Sequence, residues 1–337
     1  MKRRWICSDV WLDILPFFDR LQLGLNLALL SDHFDVLVDA HFDAKTTDLT
    51  IWSAITIRKH IEMPKLLVYW MEFLLPDDPL PNKIRFDNLK LEYIDHSVIS
   101  FLHANKHIWD RSGTRLDFNV LSFKKDVQSL CDIFVRQIWP AFATNIRHLR
   151  FADAEHLENL RCLISPTILT DLKHLNAINS GVLCPDIIAD DDGPNAISAG
   201  QALAKWLHTP TKDGQPKRLR CYDLITSTNF EWVNKFKQVV VHALTSVSYT
   251  IYFFLLPSTR IVPFELENER TKEKMTLKKM PRYDGIWVLK RCSIIGEKKD
   301  LNMDEVAAAF QWKNCENSDA NLNNVRLYLT DFQDRIG

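Results

Sequence analysis

Short strand-like stretches alternate with amphipathic helical stretches over most of the chain, and this alternation limits the possible folds more than any other feature. Successive strand-like stretches start 27, 30, 23, 49 and 29 residues apart, at Leu89, Leu116, Ile146, Leu169, Arg218 and Val247. Strands that alternate with helices at this spacing predict βα units, arranged either as a solenoid of leucine-rich-repeat type or as an open doubly wound sheet. The period favours an irregular solenoid, although the Asn of the leucine-rich turn is not found consistently.

The stretches between these strands carry apolar residues three and four positions apart, which is the spacing of one helix face. They lie at 98–108, 127–138, 157–164, 203–207 and 233–244. Thr228 and Glu231 stand three apart before the last of them, in the pattern of a capping box. The sequence therefore predicts a helix after most of the strands in residues 83–260.

Residues 6–42 favour three short helices. Ser8 is the predicted cap of the first, Asp19 of the second, and Ser31 or Asp32 of the third, because their side-chain oxygens can accept a hydrogen bond from an unpaired backbone N–H group. Every second residue from Leu21 to Leu29 is a leucine, which by period alone indicates a strand. Gly24 and Asn26 fit poorly in a strand, and the periodicity leaves the question open.

A proline-rich segment at 76–82 is the clearest linker, since Pro76, Pro79 and Pro81 oppose both a helix and a central strand. Residues 51–75 before it are expected to form short strands and turns. The predicted division is a helical domain at 1–45, a connecting segment and linker at 46–82, a βα array at 83–260 and a β-rich cap at 261–337.

The cap has a different pattern from the array. Phe264 and Leu266 alternate with polar residues and face Met275 and Leu277 across a turn, which predicts a hairpin. Further strands are expected at 286–290 and 325–329, with a short helix around Val306 between them. The fold class expected for the whole chain is therefore α+β or α/β.

Charge and cysteine content exclude several classes of protein. The 42 basic and 43 acidic residues give a net charge of −1, so no excess of charge points to nucleic acid or an anionic membrane. The seven cysteines are scattered and never form a C-x-x-C pair, which favours reduced, mostly buried thiols over a disulfide framework or a zinc knuckle.

No segment has the length of a membrane span, since the best apolar run, 249–257, is far shorter than the about 20 residues that a helix needs. Lys2, Arg3 and Arg4 are followed by Asp9 and Asp13 where a signal peptide would be apolar, so no conventional secretion signal is expected. A cytoplasmic or nuclear protein is the expectation.

No motif for catalysis, a cofactor or a metal stands out. The chain has no P-loop, Gly-x-Ser-x-Gly, His-Glu-x-x-His or Gly-x-Gly-x-x-Gly pattern. His103 and His107 are four apart on a predicted helix but have no third ligand nearby, and the acidic run at 190–192 sits beside Gly193 and Pro194 as in a solvated loop. We therefore expect no enzyme, no cofactor and no metal site.

Two loose basic stretches could receive an acidic partner, but the near-neutral whole favours ordinary solvated surface. The first comprises Lys205, His208, Lys212, Lys217, Arg218 and Arg220. The second comprises Lys272, Lys274, Lys278, Lys279 and Arg282.

Residues 6–18 (ICSDVWLDILPFF) resemble the first half of an F-box, whose pattern is roughly Leu-Pro-x-Glu-Leu-Leu-x-x-Ile-Phe-x-x-Leu. Residues 27–38 (LALLSDHFDVLV) are similar to its closing pattern of leucines, valine and an aromatic residue. The chain departs from the family at Cys7, which replaces the usual proline, and at Pro16, which falls inside the first helix.

The C-terminal part resembles an F-box-like family that is expanded in plant-parasitic cyst nematodes. The resemblance is carried by 264–277 (FELENERTKEKMTL), 287–292 (WVLKRC) and 204–210 (AKWLHTP). It would cover nearly the whole chain, as an F-box followed by a divergent substrate-binding part.

This resemblance implies a substrate-recognition adaptor of a Skp–cullin–F-box ubiquitin ligase. The F-box would dock on the Skp-type linker by helix-in-groove contacts, and the C-terminal array would hold an unknown target protein. Some of the apolar residues expected to contact the linker must instead form the core of the small domain, and the sequence does not separate the two groups. The expected linker-binding residues are Ile6, Val10, Ile14, Leu15, Phe18, Leu23, Leu27 and Phe34.

Two alternatives stay open. A protein-binding scaffold uncoupled from ubiquitination would explain Cys7 and Pro16. An enzyme on a doubly wound α/β fold is supported by nothing beyond the alternation of strands and helices.

Overall fold

The computed structural model of the chain describes most of its residues and divides it into two compact units. Unit 1 comprises Met1–Thr114, Gln128–Asn145 and Asp319–Gly337, and unit 2 comprises Arg115–Val127 and Ile146–Ser318. This division differs from the four segments expected from the sequence, which stay a prediction. The described residues are 7–18, 23, 27–44, 51–52, 55–60, 63–68, 71–75, 79–80, 85–86, 88–91, 95–110, 114–118, 132, 134–181, 183–187, 197–211, 214–224, 231–255, 261–280, 285–294 and 323–327.

Unit 1 begins with helices. Helix α1 spans Ser8–Ile14 and α2 spans Asp32–Ala44, with 3₁₀ turns at Leu15–Phe17 and Ala28–Leu30. The α-helix ends at Ile14 because Pro16 cannot donate a backbone hydrogen bond, and the chain continues as the 3₁₀ turn. The predicted second helix, with Asp19 as its cap, lies largely outside the described residues, but the described residues 27–30 in the alternating leucine run are helical and not extended.

Two of the predicted helix N-caps, Ser8 and Ser31, lie in the described residues, and one of them is confirmed. The hydroxyl of Ser31 accepts a hydrogen bond from the backbone N–H of Phe34 at 3.4 Å and so caps α2. The prediction for Ser8 is wrong, because Ser8 is already the first residue of α1. Cys7 occupies the cap position, and its side chain makes no capping hydrogen bond.

The rest of unit 1 contains short strands and helices. Strands are β1 (Ile51–Trp52), β2 (Ile55–His60), β3 (Met63–Val68), β4 (Met71–Leu74), β5 (Arg85–Phe86), β6 (Asn88–Leu91) and β15 (Asn323–Leu327), numbered along the whole chain. Helices are α3 (His96–Ala104), α4 (Lys106–Asp110) and α5 (Trp139–Phe142), the last preceded by a π-helical turn at Phe134–Ile138. The strands in 51–74 confirm the expectation for that stretch.

The main sheet of unit 1 has the order β15-β6-β2-β3-β4. Strand β6 is parallel to both β15 and β2, whereas β2, β3 and β4 form an antiparallel meander. Strands β1 and β5 pair separately and in parallel.

The proline-rich segment is anchored to unit 1 through Leu80. This residue is buried, and its N–H donates to the Asn105 side-chain oxygen at 2.7 Å. The amide nitrogen of Asn105 donates in turn to the Phe101 carbonyl in α3 at 2.8 Å. One buried side chain therefore satisfies two backbone groups of different segments.

Unit 2 contains the larger part of the predicted βα array together with the strands that follow it. Its elements are β7 (Thr114–Phe118), β8 (Ile146–Arg150), α6 (Ala154–Leu163), α7 (Ile168–Asp171), β9 (Ala177–Asn179), α8 (Ala199–His208), β10 (Lys217–Leu224), α9 (Glu231–His242), β11 (Tyr249–Phe254), β12 (Phe264–Asn268), β13 (Glu273–Lys279) and β14 (Ile286–Ser293). The strand order is β12-β13-β14-β11-β10-β9-β8-β7. Neighbours from β8 to β11 are parallel, and β11, β14, β13 and β12 are successively antiparallel.

Most predicted strands of the array are present, which confirms the mixed α/β class. The prediction of a strand starting at Leu169 is wrong: Ile168–Asp171 is a helix, and the strand β9 begins at Ala177. Leu169, Leu172 and Leu175 recur every third residue and are all buried, a spacing closer to that of a helix than to that of a strand. The predicted capping box at Thr228 and the predicted helix at Val306 lie outside the described residues.

The predicted hairpin is confirmed. Phe264 pairs with Leu277 and Leu266 with Met275 in the antiparallel pair β12–β13. A capping box does occur in the unit, at the start of α8, where Ser198 and Gln201 each accept a hydrogen bond from the other's backbone. Among the described helices, none is long and apolar enough to cross a membrane.

A buried ion pair joins the hairpin to the start of β11. The Arg291 guanidinium lies 2.6 Å from the Glu273 carboxylate, and both side chains are almost fully buried. Glu273 also accepts hydrogen bonds from the N–H of Val247 at 2.6 Å and from the hydroxyl of Ser246 at 3.1 Å. Burial alone would raise the pKa of Glu273, but hydrogen bonds led by that from Arg291 outweigh it and hold the pKa below its ordinary value.

Glu273→Gln is expected to destabilise unit 2 by about 3–5 kcal/mol, because it leaves the buried Arg291 charge uncompensated. Chemical denaturation of the full chain measures this, with the exposed Glu269→Gln as a matched control. The lowered pKa means that the unfolded chain binds more protons in the acid range, so the stabilisation is complete above about pH 4.5 and is lost as pH falls towards the folded-state pKa. Equal stability losses in the two variants would contradict this role.

Candidate protein-binding surface

The N-terminal helices of unit 1 have a small core of their own. It consists of Leu15, Leu23, Ala28, Leu37 and Val38, all buried. Trp11, Leu12, Leu27 and Phe34 pack partly buried against it. The rings of Trp11 and Phe34 meet edge to face, with centroids 4.9 Å apart.

This core accounts for half of the residues expected to bind a linker protein. Leu15 and Leu23 have no exposed surface, and Leu27 and Phe34 support the core from its edge. Ile6 lies outside the described residues. The structure thus separates two roles that the apolar pattern of the sequence leaves mixed.

The remaining expected residues lie on the surface. Val10 is 47% exposed, Phe18 is 39% exposed and Ile14 is partly buried. The sequence analysis missed Phe17, which at 87% is among the most exposed large apolar residues of the described chain. Val10, Ile14 and Phe17 recur after four and three residues, which places them on one side of α1 and the turn that continues it. We call Val10, Ile14, Phe17 and Phe18 the N-terminal apolar surface.

Pro16 determines which residues of the turn face outwards. A 3₁₀ helix has three residues per turn, so neighbouring side chains point about 120° apart. Leu15 enters the core, and Pro16 and Phe17 are therefore both directed away from it. Residue spacing alone puts Leu15 and Phe17 on opposite sides of a helix but does not say which side faces the core.

Acidic side chains flank the apolar residues on α1. In residues 7–18 and 27–44, the described part of these helices, every charged residue apart from His33 and His41 is an aspartate. Asp9 and Asp13 are exposed on α1 itself. Burial, and then the neighbouring Asp32, raise the pKa of Asp35 on α2. An apolar patch with an acidic rim suits a partner that offers an apolar groove with basic edges.

The other expectations about sites are less informative. Among the described residues, no group of three or more histidine, cysteine or acidic side chains is placed to hold a metal. His103 is exposed at the end of α3, and the acidic run at 190–192 lies outside the described residues. Of the five described cysteines, none is in a disulfide, but the expectation of mostly buried thiols is wrong, since Cys7 and Cys162 are exposed and Cys221 is buried.

A shallow pocket lies between α7 and α8. Its polar lining consists of Thr167, Thr170 and Lys205, and its apolar lining includes Leu169 and Ala202. This lining brings together no carboxylate and no histidine, which are the groups that general acid–base chemistry most often uses.

Comparison with known proteins found no match. No protein-family model matches the chain, and neither a curated protein nor a solved structure matches it. The residues themselves carry the functional argument.

Leu15→Ala and Phe17→Ala are expected to differ sharply in their effect on folding. The first removes a fully buried side chain and should destabilise the helices by about 2–5 kcal/mol. The second changes an exposed side chain and should shift stability by less than about 0.5 kcal/mol. Native-state hydrogen exchange of the α2 amides in the full chain measures both, and faster exchange in Phe17→Ala would show that Phe17 belongs to the core.

Proposed function

We propose that this protein is a substrate-recognition adaptor of a Skp–cullin–F-box ubiquitin ligase, working in the cytoplasm or nucleus. Its N-terminal helices would dock on the Skp-type linker, and its βα array would bind a target protein. The observation that carries the proposal is the N-terminal apolar surface, which stays exposed although the same helices have a core of their own.

Solvation disfavours such a surface unless a partner covers it. Phe17 and Val10 could each contribute roughly 1.5–3 kcal/mol if a partner buried them fully. Energy in protein interfaces concentrates in a few apolar and aromatic anchors of this kind. The F-box resemblance of residues 6–18 and 27–38 supplies the identity of the partner.

The second half of the proposal rests on the array in unit 2. Strands β8, β9, β10 and β11 are neighbours in the same order as in the sequence, and they are parallel. This order agrees with a leucine-rich-repeat-like arrangement, in which each βα unit extends the surface available to a partner. A doubly wound sheet would instead reverse its strand order at a switch point.

A scaffold uncoupled from ubiquitination is the second candidate. It is favoured by Cys7, which stands in place of the family's proline and leaves α1 without a side-chain cap, and by Pro16, which shortens that helix. Both functions use the array in the same way, and they differ in whether a linker binds the N-terminal apolar surface.

Val10→Asp/Phe17→Asp is expected to abolish capture of a purified Skp-type linker by the full chain. Loss of two anchors of roughly 1.5–3 kcal/mol each corresponds to a decrease in affinity of at least about a hundredfold. Leu244→Asp is the matched control, because Leu244 is an exposed leucine of unit 2.

Hydrogen exchange of α2 verifies that the double variant keeps its N-terminal fold. Linker binding that survives in a folded double variant would refute docking through this surface. If the wild-type chain captures no linker at all, the scaffold function takes its place.

A further inference from the structure

The two faces of the unit 2 sheet have different chemical character. Helices α8 and α9 cover one face: the His208 ring lies 5.5 Å from that of Tyr249, and the Trp232 ring lies 5.3 Å from that of Phe253. Tyr249, Ile251 and Phe253 on this face are fully buried. Because side chains alternate along a strand, the residues between them point to the opposite face.

The strand register collects basic residues on that opposite face. Arg218 of β10 pairs with Ala177 of β9, which pairs with His148 of β8. In the other direction Arg218 pairs with Thr250, which pairs with Lys290 of β14. Paired residues of neighbouring strands share a face, so Arg218, His148 and Lys290 lie on one side of the sheet.

Side-chain contacts add β7 to the same face. The Arg115 guanidinium lies 3.3 Å from Nδ1 of His148, and the Arg150 guanidinium lies 3.4 Å from the Asp117 carboxylate. We call Arg115, His148, Arg150, Arg218 and Lys290 the arginine face. Two described carboxylates lie on this side of the sheet: Asp117 on β7, and Glu265 on β12, which the register places two strands beyond Lys290 and which pairs with Lys274.

Burial and the positive charge of this face both affect the pKa of His148. Burial, and then the charges of Arg115, Arg218 and Arg147, hold the pKa of His148 well below its ordinary value. The ring is therefore neutral at physiological pH, and its Nδ1 can accept a hydrogen bond from Arg115. Arg150 and Arg218 are exposed to solvent and Lys290 is partly exposed, whereas Thr250 and Tyr252 of the intervening strand β11 are buried.

The basic stretch identified from the sequence groups these residues differently. It placed Arg218 and Arg220 in one basic stretch with Lys217, whereas Lys217 lies on the helix-covered face and donates to the Trp206 and Thr209 carbonyls. Arg220 is on the arginine face but is buried. The exposed charge of this face comes instead from Arg218 together with Arg150, which is 68 residues earlier in the chain.

We propose that the arginine face binds an extended, acidic segment of the target protein. This inference rests on the proposed function, in which the array holds a target. Arg218 and Lys290 lie on strands separated by one strand, which is about 10 Å at the usual spacing of about 4.8 Å. In an extended polyproline II chain, which has three residues per turn, acidic residues three positions apart lie on one side and span about 9 Å, so that two carboxylates can meet two cations at once.

The test uses the full chain and a fluorescently labelled oligo-glutamate peptide as the probe. Arg150→Gln/Arg218→Gln should weaken binding about tenfold, because each exposed ion pair contributes little by itself. Lys173→Gln/Lys205→Gln removes the same charge from two exposed lysines outside the arginine face, and it should bind like the wild type. Raised salt should weaken wild-type binding more than binding by the arginine variant.

Three outcomes would overturn the inference: no binding of the peptide by the wild type, equal weakening in both double variants, or tighter binding of a single-stranded oligonucleotide than of the peptide. The last outcome would assign the face to nucleic acid. Measuring linker capture with the same proteins distinguishes a failure of the arginine-face inference from a failure of the ligase proposal. A wild-type chain that binds the peptide but not the linker would refute the ligase proposal alone, whereas Arg150→Gln/Arg218→Gln should capture the linker normally.

Discussion

Burial of one sheet face under α8 and α9 is the constraint on which unit 2 depends. The parallel strands β9, β10 and β11 have no short hairpins between them, so each needs a crossover that packs back on the sheet. Trp206, Phe236 and Tyr249 fill the space between the helices and the sheet. The opposite side of the same strands combines buried residues, such as Tyr252 and Val288, with exposed arginines, such as Arg150 and Arg218.

The ion pair of Glu273 and Arg291 lies where the sheet changes from parallel to antiparallel strand pairing. Strand β11 must change from a parallel neighbour, β10, to an antiparallel one, β14. The carboxylate of Glu273 accepts the backbone N–H of Val247, just before β11, while Arg291 on β14 donates to the Thr245 carbonyl at 3.3 Å. The charges stabilise each other and also satisfy backbone groups of the turn, which is the condition under which a buried ion pair is tolerated.

Periodicity of apolar residues predicts the elements of this fold correctly where the spacing fits one kind of secondary structure. The β12–β13 hairpin is correctly predicted, because Phe264, Leu266, Met275 and Leu277 alternate cleanly along two adjacent strands, although the pairing continues two residues further towards the turn than the pattern indicates. The pattern failed at Leu169, where leucines every third residue fit a short helix as well as a strand. It also could not predict β9, since the three residues of this strand are all buried and show no alternation.

The candidate surfaces were harder to predict than the elements, because they depend on residues that are distant in sequence. Arg150 and Arg218 share a face only once the register of β8, β9 and β10 is known. In the N-terminal helices the difficulty was local, since Leu15 and Phe17 are both apolar and two positions apart. Helical spacing puts them about 200° apart, on opposite sides, but it does not say which of the two apolar sides faces the core.

The two surfaces have opposite charge, and this difference bears on how one chain can serve two partners. The N-terminal apolar surface is bordered by aspartates, including Asp9 and Asp13, so it attracts a basic rim and repels an acidic segment. The arginine face does the reverse, because Arg150 and Arg218 are exposed there. Like-charge contacts weaken a wrong pairing, often by more than the attractive contacts strengthen the right one. Under the proposed function, this charge distribution would direct the linker and the target to different surfaces.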